Sequence, residues 1–420
     1  MGTLFLIVRK SLAQHALSSV VTVAATALGA GLVLAVFAIS AQSERAFTGG
    51  ALGFDAVLGA RGSALQLVLN SVYHLETSPG NLPWGQYTQV RDDPRVELAI
   101  PYAVGDSYRG FRVVGTTAEL FTRFEHRAGE TFRFQEDGQA FDPGRREAVL
   151  GASVARRLGL GRGSHIRPEH GVGIAAEHAQ EHDEEFVVVG VLEATNTPSD
   201  RVVWIPIEGI FRMGGHVLRG DGETFAAQPG EEIPERHREV SAVLLKLKSP
   251  QAGFQLERAI NGEGTQATLA FPIGRSIAEL FDKLGWVNRV LEVVAYLVCL
   301  VAAGAILASL TNAMNERRRE FAILRALGAR RRTVFAAIVL ESSAIAGAGA
   351  CCGYVVYGLL FFGIARSIEV RTGVIVEPAD FHPILVLAPL GMVLLGALAG
   401  ILPAWKAYST DVATHLSSGG

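Results

Sequence analysis

The chain has 420 residues, of which 49% are hydrophobic and only 19% are charged. This composition is too apolar for an ordinary soluble protein, and the net charge of −3 gives no indication of a nucleic-acid partner. The three cysteines, Cys299, Cys351 and Cys352, lie in apolar runs, and no GxxxxGK[ST] phosphate-binding loop occurs, so a membrane protein without its own recognisable P-loop is predicted.

The N-terminal part of the chain is predicted to enter the membrane. Residues 1–15 hold apolar residues at helical spacing, so we expect a helix in the cytoplasm or along the inner membrane surface. No charged residue occurs from Ser11 to Ser43, and about 20 apolar residues cross a bilayer, so a first transmembrane helix is predicted at 16–41. A cleaved signal peptide is the alternative, but its apolar core runs only about 7–15 residues.

Residues 42–288 are predicted to form a large α+β domain outside the cytoplasm. Its ends, about 48–105 and 240–280, are expected to form a membrane-proximal part into which about 106–239 is inserted. β-Branched content predicts strands at Phe54–Leu58, Val96–Ile100, Phe111–Val114, Glu185–Leu192, Val202–Ile205 and Val243–Leu247. Helices are predicted at Ala64–Tyr73, with Ser63 as N-cap, at Trp84–Arg91 and at Ala252–Ile260.

Three further apolar runs follow, and each is long enough to span a membrane. Transmembrane helices are predicted at 289–314, 333–364 and 383–405. The segments between and after them are predicted as a cytoplasmic segment, an outer loop and a cytoplasmic tail, at 315–332, 365–382 and 406–420. Short arginine-rich loops belong on the cytoplasmic side, so both termini are expected there.

The segment 315–332, which reads NERRREFAILRALGARRR, is strongly patterned. Phe321, Leu324 and Leu327 fall three residues apart and share one face of a helix, and Gly328 is placed to end it. One interpretation is a short amphipathic helix that receives a push from a partner protein. The other is a solvated linker whose arginines only set the topology, and spacing alone leaves both open.

A histidine-rich segment lies within the large domain. His178 and His182 are four residues apart, a spacing that puts two imidazoles on one helix face, so His170, His178 and His182 are candidate metal ligands. A solvated loop is the favoured interpretation, because the segment is very polar and not clearly helical. No HExxH or GxSxG motif accompanies these residues, so no catalytic residue is predicted and the chain is not expected to be an enzyme.

One acidic residue, Glu341, interrupts the apolar runs Ala16–Ala41, Val293–Met314, Thr333–Ile364 and Pro383–Trp405 of the predicted spans. Intramembrane acids are candidates for a functional role, but pairing with an arginine at the membrane interface is the alternative. A single acid in these four runs disfavours a channel or a secondary transporter.

The layout and several motifs resemble the FtsX-like permease family, the MacB/LolC/FtsX class of ABC transporter permease subunits with a MacB-like periplasmic core domain. ERRREFAILRALGARRRTVF resembles the coupling segment of that family, whose motif positions are filled here by Glu320, Arg325, Leu327, Gly328 and Ala329. The resemblance extends to two core-domain motifs and to the C-terminal end, at 150–166, 186–210 and 402–416. Asp411 and Val412 stand where the family usually has proline.

The resemblance implies a type VII ABC transporter-like architecture in the bacterial inner membrane, with cytoplasmic termini and a periplasmic or extracellular large domain. It implies a permease subunit that forms a homodimer or heterodimer and binds separate ABC ATPase subunits. ATP and Mg²⁺ are expected in those partners, and no cofactor is expected in this chain. Membrane lipids and a periplasmic or outer-membrane protein are further expected partners, whereas nucleic acid is not.

The function implied by the resemblance is mechanotransmission, which is the transfer of ATP-driven movement to the outer domains during export or extraction of a lipoprotein, peptide or other hydrophobic cargo. The expected ATPase contacts are Glu320, Phe321, Leu324, Arg325, Leu327 and Gly328. A membrane-anchored sensor or scaffold without an ATPase partner is the alternative function.

Overall fold

The computed structural model describes residues 2–14, 16–48, 53–127, 129–171, 182–213, 218–220, 223–225, 231–262, 266–316, 330–372, 376 and 382–409. The chain divides into two units. The helix unit comprises Met1–Ser43, Leu284–Arg366 and Glu377–Gly420. The α+β unit comprises Glu44–Lys283 and Ser367–Val376.

The described α-helices, in chain order, are α1 (Gly2–Gln14), α2 (Ala16–Thr48), α3 (Ala64–Ser71), α4 (Trp84–Arg91), α5 (Glu119–Thr122), α6 (Ala152–Leu158), α7 (Ile207–Arg212), α8 (Pro250–Ile260), α9 (Ile273–Glu316), α10 (Arg331–Thr372) and α11 (Ile384–Ser409). The described strands are β1 (Ala56–Ala60), β2 (Leu82–Pro83), β3 (Val96–Tyr108), β4 (Phe111–Thr116), β5 (Glu125–Arg127), β6 (Glu130–Thr131), β7 (Glu147–Leu150), β8 (His165–Ile166), β9 (Glu169–His170), β10 (Phe186–Val191), β11 (Val202–Pro206), β12 (Leu218–Gly220), β13 (Glu223–Phe225), β14 (Glu239–Val240), β15 (Ala242–Leu247) and β16 (Ala267–Ala270).

Among the residues that the structure describes, four helices, α2, α9, α10 and α11, are long and apolar enough to cross a membrane, which confirms the predicted number of spans. All four extend beyond the predicted spans, and the longest are α9 with 44 residues and α10 with 42. Helical hydrogen bonding continues past the last apolar turn into charged sequence. Residues 365–372, predicted as the start of an outer loop, are therefore helical.

The α+β unit is built on a ten-stranded mixed sheet with the order β16-β1-β15-β3-β4-β11-β7-β10-β8, and β9 pairs with β3 off this path. β3 is the longest of the described strands, with 13 residues. Its first part pairs antiparallel with β15, and its second part pairs antiparallel with β4 after a bulge between Val104 and Asp106. One strand therefore belongs to both halves of the sheet.

Both faces of this sheet are buried. All five residues of β11 are buried, and they alternate between two hydrophobic clusters: Val203 and Ile205 belong to one, Val202 and Trp204 to the other. Helices cover both faces, with α4, α6, α7 and α8 on the first cluster and α3 and the start of α9 on the second. The side chain of Ser63 caps α3 by accepting from the Gln66 amide at 3.4 Å, as predicted.

The helix unit is packed through small residues. A Cβ built on Gly349 would lie 2.5 Å from the Cβ of Thr26, and one built on Gly353 would lie 2.7 Å from the Cβ of Ala30, so α10 packs directly against α2 at these glycines. Gly396 of α11 makes an equally close approach to α10. Such close backbone approach is the usual basis of helix packing in lipid.

Candidate functional site

The predicted coupling residues Glu320, Phe321, Leu324, Arg325, Leu327 and Gly328 lie outside the described residues. The two ends of their segment are described. Met314, two residues before the end of α9, belongs to the same cluster as Val334 and Ile338 of α10 and Ala404 of α11. Segment 317–329 therefore starts and ends at one packed cluster of three long helices.

Exposed arginines mark the end of this segment. Arg330, Arg331 and Arg332 are exposed where α10 begins, and the Thr333 amide donates to the Arg330 carbonyl at 2.9 Å. The first turn of α10 thus presents cationic side chains beside the segment. Such a surface can bind an acidic rim on a partner protein.

Glu341 of α10 is buried within the helix unit. Its carboxylate accepts a hydrogen bond from the hydroxyl of Ser11 in α1, which is fully buried. Leu12 packs into a neighbouring cluster with Ile306 and Ile345. The Ser11–Glu341 hydrogen bond and the adjacent apolar contacts attach the N-terminal helix to the rest of the helix unit.

The structure brings together two of the three candidate metal ligands. His170 and His182 both contact the carboxylate of Asp106, with His170 Nδ1 3.3 Å and His182 Nε2 3.2 Å from Asp106 Oδ1. His178 lies outside the described residues. The solvated-loop interpretation does not hold for His182, which is buried.

Asp106 was not predicted as a candidate ligand. It lies far from both histidines in sequence and becomes their neighbour only because β9 pairs with β3, where Asp106 and His170 are Cα partners. The predicted strand ended at Ile100, before Asp106, so local pattern gave no signal for this residue.

The aspartate of the family-like segment 195–201 has a structural role. The buried Asp200 carboxylate accepts from the Thr195 amide at 3.0 Å, the Thr195 hydroxyl at 2.8 Å and the Asn196 amide at 2.9 Å. Burial raises the pKa of Asp200, and these donors act against that shift. The carboxylate therefore fixes the loop that leads into β11.

A cavity of about 970 Å³ opens in the α+β unit. Its lining includes five phenylalanines and two lysines: Phe47, Phe54, Phe124, Phe254, Phe271, Lys246 and Lys248. The Phe54 and Phe124 rings stack at 3.7 Å between centroids, and Phe254 meets Phe271 edge-on at 5.1 Å. Asp55, Glu97 and Glu125 also line the cavity, so it can hold an apolar group beside side chains of both charges.

Four helices of membrane-spanning length, with a large α+β unit inserted between the first and the second, define a multi-span membrane protein with one large extramembrane domain. Comparison with protein families gives two matches. The MacB-like periplasmic core domain matches residues 19–263, and the FtsX-like permease C-terminal domain matches residues 292–412. The chain belongs to the FtsX-like permease family of ABC transporter permeases with a MacB-like core domain, and its α+β unit is extracytoplasmic.

Solved structures give more distant likenesses. The periplasmic region of MacB from Actinobacillus actinomycetemcomitans is 10% identical, with a TM-score of 0.33, over 55% of this chain and 94% of that one. The extracellular domain of the ABC-type transporter YknZ from Gram-positive bacteria is 12% identical, with a TM-score of 0.30, over 51% of this chain and 99% of that one. No curated protein matches the sequence. The family assignment rests on the two family matches.

Proposed function

We propose that the chain is a permease subunit that transmits ATP-driven movement from cytoplasmic ATPase subunits to its extracytoplasmic domain. In this proposal two protomers, identical or different, work with separate ATPases in the bacterial inner membrane, and both termini are cytoplasmic. ATP and Mg²⁺ bind to the ATPases, and the permease chain itself has no enzymatic activity.

The observation that carries the proposal is the packing at the ends of segment 317–329. Met314, Val334 and Ala404 belong to one cluster, so a displacement of this segment acts on α9, α10 and α11 together. The boundary between the two units falls within α2, α9 and α10, so each of these helices contributes residues to both units.

The segment makes its contact through an apolar helix face. Phe321, Leu324 and Leu327 enter a groove of the ATPase, and the flanking arginines meet acidic residues at its rim. ATP-driven closure of the ATPase pair pushes the segment toward the membrane. Cargo is not passed through a pore, which fits the attachment of Glu341, an acid buried in the helix unit, to Ser11.

The proposed cargo is a lipoprotein, a peptide or another hydrophobic molecule that is exported or extracted from the membrane. The aromatic cavity of about 970 Å³ supports a cargo with an apolar group. Two copies of the extracytoplasmic domain then change the space between them with each ATPase cycle.

The apolar face gives the sharpest test. Replacing both Leu324 and Leu327 with Asp puts two charges into the proposed contact, and we expect co-purification of the ATPase to fall at least ~30-fold, the effect of losing a strong interface contact. ATP hydrolysis by the reconstituted pair is then measured with the extracytoplasmic domain still folded, as judged by tryptophan emission.

The matched control replaces Ala322 and Ala326 with Asp. At about 3.6 residues per turn these positions fall on the opposite helix face, so the same two charges are expected to leave ATPase binding nearly unchanged. Normal ATPase binding and activity in the leucine variant would refute the coupling role. Absence of any ATPase partner would favour the sensor or scaffold alternative.

A further inference from the structure

A cluster of three potential metal ligands lies in the α+β unit, away from the proposed coupling segment. We call it the Asp106–His170–His182 cluster. Among the residues that the structure describes, it is the one group of three whose ligand atoms all lie within 4.8 Å of one another. Neither the family assignment nor the proposed coupling function uses these residues.

The backbone holds all three residues in place. Asp106 of β3 and His170 of β9 are directly paired across an antiparallel ladder, next to the Ser107–Glu169 pair. The Gly171 amide donates to the Gly105 carbonyl at 3.0 Å, and the His182 amide donates to the Pro168 carbonyl at 2.9 Å. The arrangement is therefore set by main-chain hydrogen bonds as well as by the side chains.

The distances match those of ligands around one ion. Zn–N bonds of about 2.0–2.1 Å place neighbouring ligands of a tetrahedral Zn²⁺ about 3.3 Å apart. In the cluster, Asp106 Oδ1 lies 3.2 Å from His182 Nε2 and 3.3 Å from His170 Nδ1. The two imidazole rings do not stack, since they meet at 81° with centroids 5.7 Å apart.

Burial and charge favour a cation at this position. The Asp106 side chain is 0% exposed and that of His182 is 5% exposed, so the carboxylate is held away from water. A buried carboxylate is costly unless it is paired or binds a metal ion. The His170 side chain is 56% exposed, which leaves one side of the cluster open for an ion to enter and for a water molecule as fourth ligand.

We propose that Asp106, His170 and His182 form a Zn²⁺ site with three protein ligands and one open position. Two imidazoles with one carboxylate favour Zn²⁺ over Mg²⁺ or Ca²⁺, which prefer all-oxygen ligands. The ion ties β3 to two points of the chain that lie twelve residues apart. Its binding free energy therefore adds to the folding stability of the α+β unit.

The test uses the purified full chain in detergent after treatment with EDTA. Titration with Zn²⁺ against a chromophoric chelator is expected to give one ion per chain and a raised unfolding temperature of the α+β unit. Loss of a metal ligand is expected to weaken metal binding at least as much as loss of a residue that hydrogen-bonds to a ligand. H182A and H170A should therefore each weaken Zn²⁺ binding by at least ~100-fold.

The matched control is H165A. His165 also faces a carboxylate, with Nδ1 3.3 Å from Glu185 Oε2, but it is not part of the three-ligand cluster. This variant is expected to bind Zn²⁺ as the unaltered chain does. An unchanged Zn²⁺ affinity in both H170A and H182A, or no binding by the unaltered chain, would overturn the proposal.

A replacement that keeps a metal ligand separates metal binding from simple loss of folding. H170C places a thiolate at the exposed ligand position, so it is expected to keep Zn²⁺ binding and to add a Cd²⁺–thiolate absorption band beyond that of the exposed Cys351 and Cys352 in the unaltered chain. A folded H170C chain without that band would place His170 outside the site.

Discussion

The two units of this protein are packed through side chains of different size. The α+β unit buries large residues completely, including Trp204, Tyr73 and Phe186. The helix unit makes its closest contacts between small residues, such as Gly353 of α10 with Ala30 of α2. The difference matches the surroundings of each unit, which are water for the α+β unit and lipid for the helix unit.

In water, burying a large apolar side chain is strongly favourable, so a core grows by adding large residues. In lipid, the surroundings are as apolar as the side chain, and stability comes from close packing of backbones. The α+β unit is therefore expected to lose stability when a buried side chain becomes smaller. The helix unit is expected to lose stability when a closely packed residue becomes larger. Three predictions test this comparison.

The largest effect is expected from W204A. The Trp204 ring is fully buried against Tyr102, with centroids 5.5 Å apart, and its removal leaves a cavity that the sheet cannot fill. We expect the α+β unit to lose about 3–5 kcal/mol of unfolding free energy, measured by urea denaturation of the purified chain. W286A makes the same chemical change at a side chain that is 68% exposed, and it should leave this transition nearly unchanged.

The next effect is expected from adding a single methyl group in G353A. The new Cβ would lie 2.7 Å from the Cβ of Ala30 and 3.1 Å from the amide nitrogen of Gly31, so α2 and α10 must separate. We expect a loss of about 1–3 kcal/mol in resistance to unfolding by SDS. In G358A, no described heavy atom lies within 4 Å of the new Cβ, so this control in the same helix should be neutral or stabilised by up to about 1 kcal/mol. Equal losses in both variants would contradict glycine-mediated packing.

The smallest effect concerns His74, whose ring lies 5.9 Å from that of Trp204. Burial, together with the charges of Arg112 and Arg201, lowers the pKa of His74 well below its usual value. The unfolded chain therefore binds a proton below about pH 6.5 that the folded state does not, and the α+β unit should lose stability as the pH falls, by up to about 1.4 kcal/mol per pH unit.

H74N should remove most of this acid sensitivity. Asparagine stays uncharged and tolerates the positive φ of 56° at this position. Urea denaturation at pH 7 and pH 5.5 gives the slope for each chain. H165N replaces a histidine whose side chain is 57% exposed and should keep the slope of the unaltered chain. A slope in H74N as steep as in the unaltered chain would show that other groups cause the acid effect.

Local pattern was sufficient to predict the spans and most of the central strands. Apolar run length predicted four membrane helices, and β-branched content placed β1, β4, β10, β11 and β15 within a few residues of their observed positions, whereas only the first part of β3 was predicted. It missed the short strands β7 and β16, each of four residues, because so few residues carry no clear alternation. It also ended α10 too early, since hydropathy reports membrane burial and not helical hydrogen bonding.

Long-range pairing could not be predicted from the sequence. Gly349 and Gly353 are four residues apart, a spacing typical of close helix packing in lipid, but the spacing does not identify α2 as their neighbour. His170 and His182 were candidates from their residue type, whereas Asp106 joined them only through the β3–β9 ladder. The coupling segment stays a prediction, because its residues lie outside those that the structure describes.

β3 has a mechanical consequence for the extracytoplasmic domain. Its 13 residues form one strand that pairs with β15 and then with β4, so the two parts of the sheet are covalently connected through β3. Neither part can rotate relative to the other without breaking hydrogen bonds between β3 and β15 or between β3 and β4. A displacement of the β3 main chain at its pairing with β15 therefore also acts on its pairing with β4.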